Sequence, residues 1–150
     1  MTVIGPGLTI QEHYRGQATL TAQVVFTPAL ADTYEAVPGT WTDGACNGFT
    51  TSAAGLVTYS GPSGAHFLFS GASDLSAGAS DTVTYALFAN GVLIPDAETP
   101  HVFASAGKTE NISITAIIEL NSGDTLQVYA KSLGKKQLTI DTLRITIWGS

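Results

Sequence analysis

The stretch NISITAIIELNSGDTLQVYA, residues 111–130, decides the fold class. In its first half Ile112, Ile114, Ala116 and Ile118 alternate with residues that are mostly polar, and the turn NSGD leads into a second alternating segment. Alternation with a period of two on both sides of a Gly-containing turn is typical of half-buried antiparallel strands. The stretch therefore predicts two consecutive β-strands with one face each toward a common core.

The rest of the chain repeats this pattern. Asn90-Gly91, between residues 82–89 and 92–95, is the pair that a type I′ hairpin turn selects. Short strand pieces are predicted near Tyr34 and Trp41 in a Pro- and Gly-rich region. Further alternating segments lie at residues 17–27, 49–59, 66–71, 101–105 and 137–148. No segment has helical periodicity, so about eight strands predict an all-β, two-sheet antiparallel sandwich.

The 150 residues, 44% hydrophobic, suffice for one core. We assign residues 17–150 to this domain and residues 1–16 to an extended N-terminal arm, which Gly5-Pro6-Gly7 keeps from being helical. An apolar arm ahead of the first strand is suited to binding a partner. The apolar side chains predicted to make this contact are Val3, Ile4, Leu8 and Ile10.

Charge and hydropathy exclude several classes of protein. The net charge of −6 argues against nucleic-acid binding, which needs Lys and Arg to displace counterions. No apolar run approaches the about 20 residues of a membrane span, and the N-terminus lacks a secretory pattern. We therefore expect synthesis in a cytoplasm and no membrane partner. Cys46 is the single cysteine, which excludes an internal disulfide.

No catalytic or metal-binding motif is evident. The three histidines, His13, His66 and His101, are far apart in sequence, and no nucleophile motif accompanies them. Asp96 and Glu98 near His101 are carboxylates that could bind a hard cation, but a solvated loop explains them better. We predict a protein without enzymatic activity, catalytic residues, metal or cofactor.

The order of several segments carries a family resemblance: HFLFSG at 66–71, ALFANG at 86–91, ISITAIIELNSGDTLQVYAKS at 112–132 and LTIDTLRITIW at 138–148. Between about residues 49 and 148 the chain resembles the jelly-roll modules of the tumour necrosis factor and complement globular-head type that occur in bacteriophage virion proteins. The resemblance implies a trimeric jelly roll that serves as a capsid decoration protein or as the head of a tail fibre. These motifs are structural and indicate fold more than function.

Strands that are apolar on both faces also predict a trimer, since a monomeric sandwich exposes one face of each strand to water. Ile117 and Ile118 are adjacent, and a regular alternation along the last strand places apolar residues on both of its faces. The residues predicted to form the trimer interface are Ile117, Tyr129, Leu143, Ile145 and Ile147.

These observations predict a phage virion structural protein, a trimeric decoration or cement protein bound to the major capsid protein on the outer capsid surface. A chain that holds a jelly roll and a short arm, with no shaft, favours the capsid over the tail. The alternative is a receptor- or glycan-binding head of a tail fibre or spike, in which residues 74–81 and 96–101 form loops that contact a host surface glycan. Trp41, in a Gly-rich polar region, is the residue predicted to make a surface contact.

Overall fold

The computed structural model describes residues 13–149 and the backbone of residues 2–3 and 9–10. Within these residues the chain forms strands and turns and no helix. The strands are β1 (Thr2–Val3), β2 (Thr9–Ile10), β3 (Arg15–Leu20), β4 (Val24–Phe26), β5 (Glu35–Ala36), β6 (Trp41–Asp43), β7 (Phe49–Thr51), β8 (Val57–Tyr59), β9 (Ala65–Ser76), β10 (Asp81–Ala89), β11 (Val92–Phe103), β12 (Glu110–Leu120), β13 (Thr125–Ser132) and β14 (Leu138–Gly149). The predicted all-β class is confirmed.

Two six-stranded antiparallel sheets form the sandwich. Sheet I has the order β12-β9-β14-β3-β6, with β4 beside β14, and sheet II has the order β11-β10-β13-β8-β7, with β5 beside β13. Among the described residues, the short strands β1 and β2 pair with each other. Strand β3 begins at Arg15, so residues 15 and 16, which the sequence assigned to the arm, belong to sheet I.

The core lies between the sheets and follows the predicted alternation. Along β12 every second side chain is buried, from Ile112 to Leu120, while the residues between them are exposed. Asn90 and Gly91 have φ angles of 51° and 76°, which a type I′ turn between β10 and β11 requires. Both sequence predictions for these segments are confirmed.

Three segments differ from the predicted strands. Residues 17–27 fall in two strands, β3 and β4, which are separated by residues 21–23 and both pair with β14. Residues 49–59 form a β-hairpin rather than one strand, closed by a bond from Ser52 N to Leu56 O (2.9 Å). Residues 92–103 form a single strand, β11, whose irregular pairing with β10 accommodates the region that the sequence left as a loop.

A β-bulge in β14 overturns part of the predicted interface. Ile140 pairs with Leu75 and Thr142 with Asp74, so Asp141 is an extra residue that shifts the alternation by one. As a result the apolar residues before and after the bulge all point inward. Those that follow it in sequence are at most 2% exposed: Leu143, Ile145 and Ile147. The prediction that these three residues form a subunit interface is wrong; they belong to the core of their own chain.

Candidate functional site

The outer face of sheet I is poor in charge. Most outward side chains of β3, β9, β12 and β14 are small hydroxyl, methyl or amide groups: Gln17, Thr19, Ser70, Ala72, Ser113, Thr115, Thr142 and Thr146. Charged groups are few: Asp74 and Glu119 lie toward opposite ends of the face, and Arg144 stands on the central strand β14, between Ala72 and Thr19. A solvated sheet face usually carries charged residues, so this composition favours contact with another surface.

One row of side chains crosses this face in register and is apolar. Ile117 on β12 pairs with Leu68 on β9, and Leu68 pairs with Trp148 on β14. Ile117 is 80% exposed, Leu68 45% and Trp148 50%. Side chains directly opposite each other on adjacent strands lie about 5 Å apart, so the three form one continuous surface. We call Ile117, Leu68 and Trp148 the apolar row.

Polar groups bound the apolar row on two sides. His66 Nε2 lies 3.6 Å from Glu119 Oε2, and both side chains are exposed. On the other side Trp148 pairs with Arg15 of β3. His66 and Gly149 join the apolar row in lining a shallow groove. An apolar centre with a polar rim is the usual anatomy of a protein–protein interface.

Sheet II differs because a segment of the chain shields aromatic residues on its outer face. Residues 27–37, which include β5, run beside β13, held by backbone bonds from Asp32 N to Ser132 O (2.9 Å) and from Val37 N to Val128 O (3.1 Å). Tyr34 in this segment packs edge-on against Phe88, and Phe88 stacks on Tyr129 with ring centroids 3.9 Å apart. We call residues 27–37 the covering segment.

Charged groups fix the covering segment in place. Lys131 Nζ lies 3.1 Å from Asp32 Oδ1 and 4.7 Å from the centre of the Tyr34 ring. The Tyr34 hydroxyl donates to Glu98 Oε1 (2.5 Å). Partial burial and the carboxylate of Glu98 together raise the pKa of the Tyr34 phenol. The covering segment thus occupies the aromatic surface of sheet II.

The structure separates the remaining predicted interface residues. Ile117 is on the outer face of sheet I, whereas Tyr129 is on sheet II, half-buried against Phe88. These two positions face opposite sides of the sandwich and cannot belong to one flat contact. Tyr129 pairs with Ala36 of the covering segment, and its part in a trimer contact stays a prediction. The arm residues Val3, Ile4, Leu8 and Ile10 have side chains outside the described residues.

The prediction that Trp41 makes a surface contact is wrong. Trp41 is 5% exposed and packs in the core beneath the β7–β8 turn, where its backbone N donates to Ala53 O (2.9 Å). A Cβ on Gly55, whose φ is +89°, would lie 2.5 Å from the indole nitrogen, so only glycine allows the turn to close over this ring. The Gly-rich context that suggested exposure is what lets the chain fold tightly over the ring.

The polar groups near β11 have neighbours within the chain. Glu98 accepts the bond from Tyr34, and His101 Nε2 lies 3.4 Å from Glu110 Oε2, an ion-pair distance, without forming a hydrogen bond. The carboxylate of buried Asp81 accepts hydrogen bonds from Ser132 and from Gly134 N and so fixes the β13–β14 turn. Among the described residues no three His, Cys, Asp or Glu side chains are placed to hold a metal ion together.

Sequence reasoning missed Leu68 and Trp148, although a usable pattern was present. Leu68 lies between Phe67 and Phe69, and Trp148 follows Ile147. In an alternating strand one of two adjacent apolar residues must face outward, which is the argument that identified Ile117 beside Ile118. The same argument applied to all strands finds the complete apolar row.

Comparison with known proteins identifies the fold. The chain is similar to the structure of Eiger TNF from S. frugiperda, with a TM-score of 0.60 over 93% of this chain and 94% of that one, at 13% sequence identity. The protein is therefore a TNF-like jelly roll, as the sequence predicted. No protein-family profile matches the chain, and no curated protein matches it in sequence.

The described part of the chain holds no helix long and apolar enough to cross a membrane.

Proposed function

We propose that this chain is a non-enzymatic virion structural protein, a trimeric decoration protein on the outer surface of a bacteriophage capsid. The observation that carries the proposal is a TNF-like jelly roll with one sheet face covered by its own chain and the other left charge-poor with an exposed apolar row. The resemblance of residues 49–148 to phage virion modules supports the virion role. Synthesis in the bacterial cytoplasm precedes assembly.

A closed trimer accounts for the exposed apolar surface. Most homo-oligomers have closed symmetry, and a threefold ring covers the same surface in every copy. Burying a large aliphatic or aromatic side chain contributes about 1.5–3 kcal/mol, so the apolar row gives a substantial part of the association free energy. On the outer face of sheet II, Tyr34 of the covering segment packs against Phe88. The chain itself therefore shields this aromatic surface.

The N-terminal arm is proposed to bind the major capsid protein. The described chain enters the sandwich beside the end of β14, where Gly149 N donates to Tyr14 O (3.0 Å). The arm therefore starts at one end of the sandwich, away from the loops that follow β9 and β13. Because the arm begins at this end of the sandwich, it can reach the capsid shell while the loops at the other end face outward.

The second candidate is a receptor- or glycan-binding head. The segments first assigned to its contact loops lie mostly in strands, since residues 74–76 belong to β9 and residues 96–101 to β11. The loops at the end opposite the arm include residues 77–80, 104–109 and 133–137. A host glycan would have to bind there.

Two measurements test the proposal. Quantitative mass spectrometry of purified virions should find hundreds of copies per particle, whereas a handful would favour the receptor-binding head. A variant lacking residues 1–12 should fold, as judged by circular dichroism, but fail to bind capsids stripped of the protein. Undiminished binding by the truncated variant would exclude the arm as the anchor.

A further inference from the structure

We infer that the loops at the end of the sandwich opposite the arm bind an anionic polysaccharide. These loops are residues 77–80, 104–109 and 133–137, and we call them the distal loops. The pairing of Asp81 with Phe103 brings two of the loops to the same end of the sandwich. The inference goes beyond the proposed decoration role, and it holds whether the chain is attached to a capsid or to a tail.

The distal loops concentrate positive charge. The chain has six lysines and arginines against twelve acids, yet three of the six lie in these loops: Lys108, Lys135 and Lys136. The distal loops contain no Asp or Glu. All three lysines are exposed, and among the described residues no carboxylate lies at ion-pair distance from them. In a chain of net charge −6 this end has the opposite sign, which favours an anionic ligand.

The acidic groups next to the distal loops leave this charge largely uncompensated. Asp32 is paired with Lys131, whose Nζ lies 3.1 Å from its Oδ1. Asp81 is 1% exposed and therefore lies below the surface. Glu110, the first residue after one of the loops, lies beside His101. A ligand that reaches the distal loops therefore meets mainly the lysines.

Bonds between the distal loops fix their arrangement. Gly107 N donates to Ala77 O (3.2 Å), and Lys136 Nζ donates to Ala79 O (2.6 Å). The stem of Lys136 lies against Gly78, where the absence of a Cβ leaves room for it. Loops that are linked to one another lose less conformational freedom when a ligand binds, so the lysines form a preorganised surface.

Lys135 has a backbone conformation that glycine adopts more easily. Its φ is 55°, and Ser80 in another distal loop has the same value. In this left-handed region a residue with a Cβ is strained. Strained residues concentrate at functional sites, so an exposed lysine at this position favours a use for its charge.

A pocket between the distal loops suits a carbohydrate. Its volume is about 200 Å³, and it is lined by Ser76, Ala77, Gly78, Gly107, Gln137 and Thr139. The side chains of Ser76, Gln137 and Thr139 can exchange hydrogen bonds with sugar hydroxyls. Lysine binds a carboxylate or a phosphate as a point charge. The distal loops hold no aromatic side chain on which nucleic-acid bases could stack, so an acidic polysaccharide fits better than a nucleic acid.

Binding of the full-length chain to defined polymers tests the inference. The anionic probes are alginate, which carries carboxylates, and phosphomannan, which carries phosphates. Neutral dextran and duplex DNA are the comparison probes. Biolayer interferometry should show binding to alginate or phosphomannan that weakens as ionic strength rises, and no binding to dextran. The anionic probe that binds more tightly identifies the recognised group as a carboxylate or a phosphate.

A double variant locates the site. Lys108→Gln combined with Lys135→Asn removes two charges, and asparagine tolerates the left-handed conformation at position 135. The loss of two exposed ion pairs should weaken polysaccharide binding by roughly tenfold. Circular dichroism checks the fold, and Lys108→Gln alone, expected to weaken binding several-fold, replaces the double variant if that variant does not fold.

The matched control lowers the net charge by the same two units at the other end of the sandwich. It combines Val92→Asp with Ser122→Asp, both at exposed positions near the β10–β11 and β12–β13 turns. This control should leave the affinity for the anionic probes nearly unchanged. An equal loss of affinity in the control would show that net charge, rather than the distal loops, governs binding, and would overturn the inference.

Three other results would also overturn the inference: no binding to either anionic polysaccharide, equal binding to dextran, and unchanged affinity in the double variant. Binding to duplex DNA as tight as to the polysaccharides would show a surface for any polyanion and would overturn the assigned ligand class. None of these results bears on the copy number per virion or on capsid binding by the arm. Failure of the inference is therefore distinguishable from failure of the proposed structural role.

Discussion

The two outer faces of the sandwich differ in whether the chain itself shields their apolar side chains from water. Sheet II carries aromatic residues on its outer face, and the covering segment shields them through Tyr34 and the Lys131–Asp32 pair. Sheet I carries Ile117, Leu68 and Trp148 on its outer face, and no described segment of the chain shields them. We propose that the exposed apolar surface of sheet I is kept for a partner.

The difference also separates stability from assembly. Residues under the covering segment stabilise the fold of one chain, so their loss should lower its free energy of unfolding. Residues of the apolar row contact mainly water in the single chain, so their loss should affect association. Variants in the core, under the covering segment and on the outer face of sheet I test this division.

The inner side of sheet I should dominate stability. Ile145→Ala removes a side chain that is 2% exposed, and it should lower the free energy of unfolding by about 2–5 kcal/mol because a cavity remains. Thr146→Ala, the adjacent outward residue, should change it by less than about 0.5 kcal/mol. Denaturant unfolding measures both, and equal effects would contradict the inward direction of Ile145.

The aromatic contact under the covering segment should come next. Tyr129→Ala removes the stack with Phe88 and should cost about 1–3 kcal/mol of unfolding free energy while leaving the oligomeric mass unchanged. Gln127→Ala, on the same side of β13, is the matched control. Loss of the oligomer in Tyr129→Ala would show that sheet II takes part in assembly, as the sequence first suggested.

A buried hydroxyl next to the bulge should give a smaller effect. Ser73 Oγ donates to Thr142 O (2.7 Å) and accepts from the Tyr85 hydroxyl (2.9 Å), which links the two sheets. Ser73→Ala leaves the Tyr85 hydroxyl buried without this partner and should cost about 1–2 kcal/mol. Ser70→Ala on the outer face of the same strand should be nearly neutral in a denaturant titration.

Alkaline pH should loosen the covering segment. The pKa of Tyr34 is raised, chiefly by burial and then by Glu98, and burial also raises the pKa of Tyr85. A raised folded-state pKa means that the folded chain keeps its proton longer, so stability is complete below the ordinary tyrosine pKa of about 10 and falls as pH rises above it. Tyr34→Phe should make this decline shallower, and an unchanged slope in thermal melts would contradict the role of Tyr34.

Much of the fold follows from local patterns. The alternation in β12 and the Asn90-Gly91 turn depend on neighbouring residues alone, so a single sequence suffices to predict them. The bulge at Asp141 does not, because it depends on pairing with β9, and it reverses the direction of every residue after it. Leu143, Ile145 and Ile147 were misplaced for this reason.

The candidate site was predictable only in part. Ile117 was identified because two adjacent apolar residues cannot both face the core of an alternating strand. The surroundings of Tyr129 could not be predicted, because Tyr129 stacks on Phe88 and Phe88 packs against Tyr34 of the covering segment, which is far away in sequence and has no regular pattern. Trp41 was misassigned because glycines in a polar region suggest exposure, whereas here Gly55 permits close packing on the indole.

The most direct test of the central claim is the solution mass of the wild-type protein and of Ile117→Asp, measured by light scattering at micromolar concentration. The account predicts three times the 15.5 kDa chain mass for the wild type and a single chain mass for the variant. A wild-type mass of 15.5 kDa would contradict it.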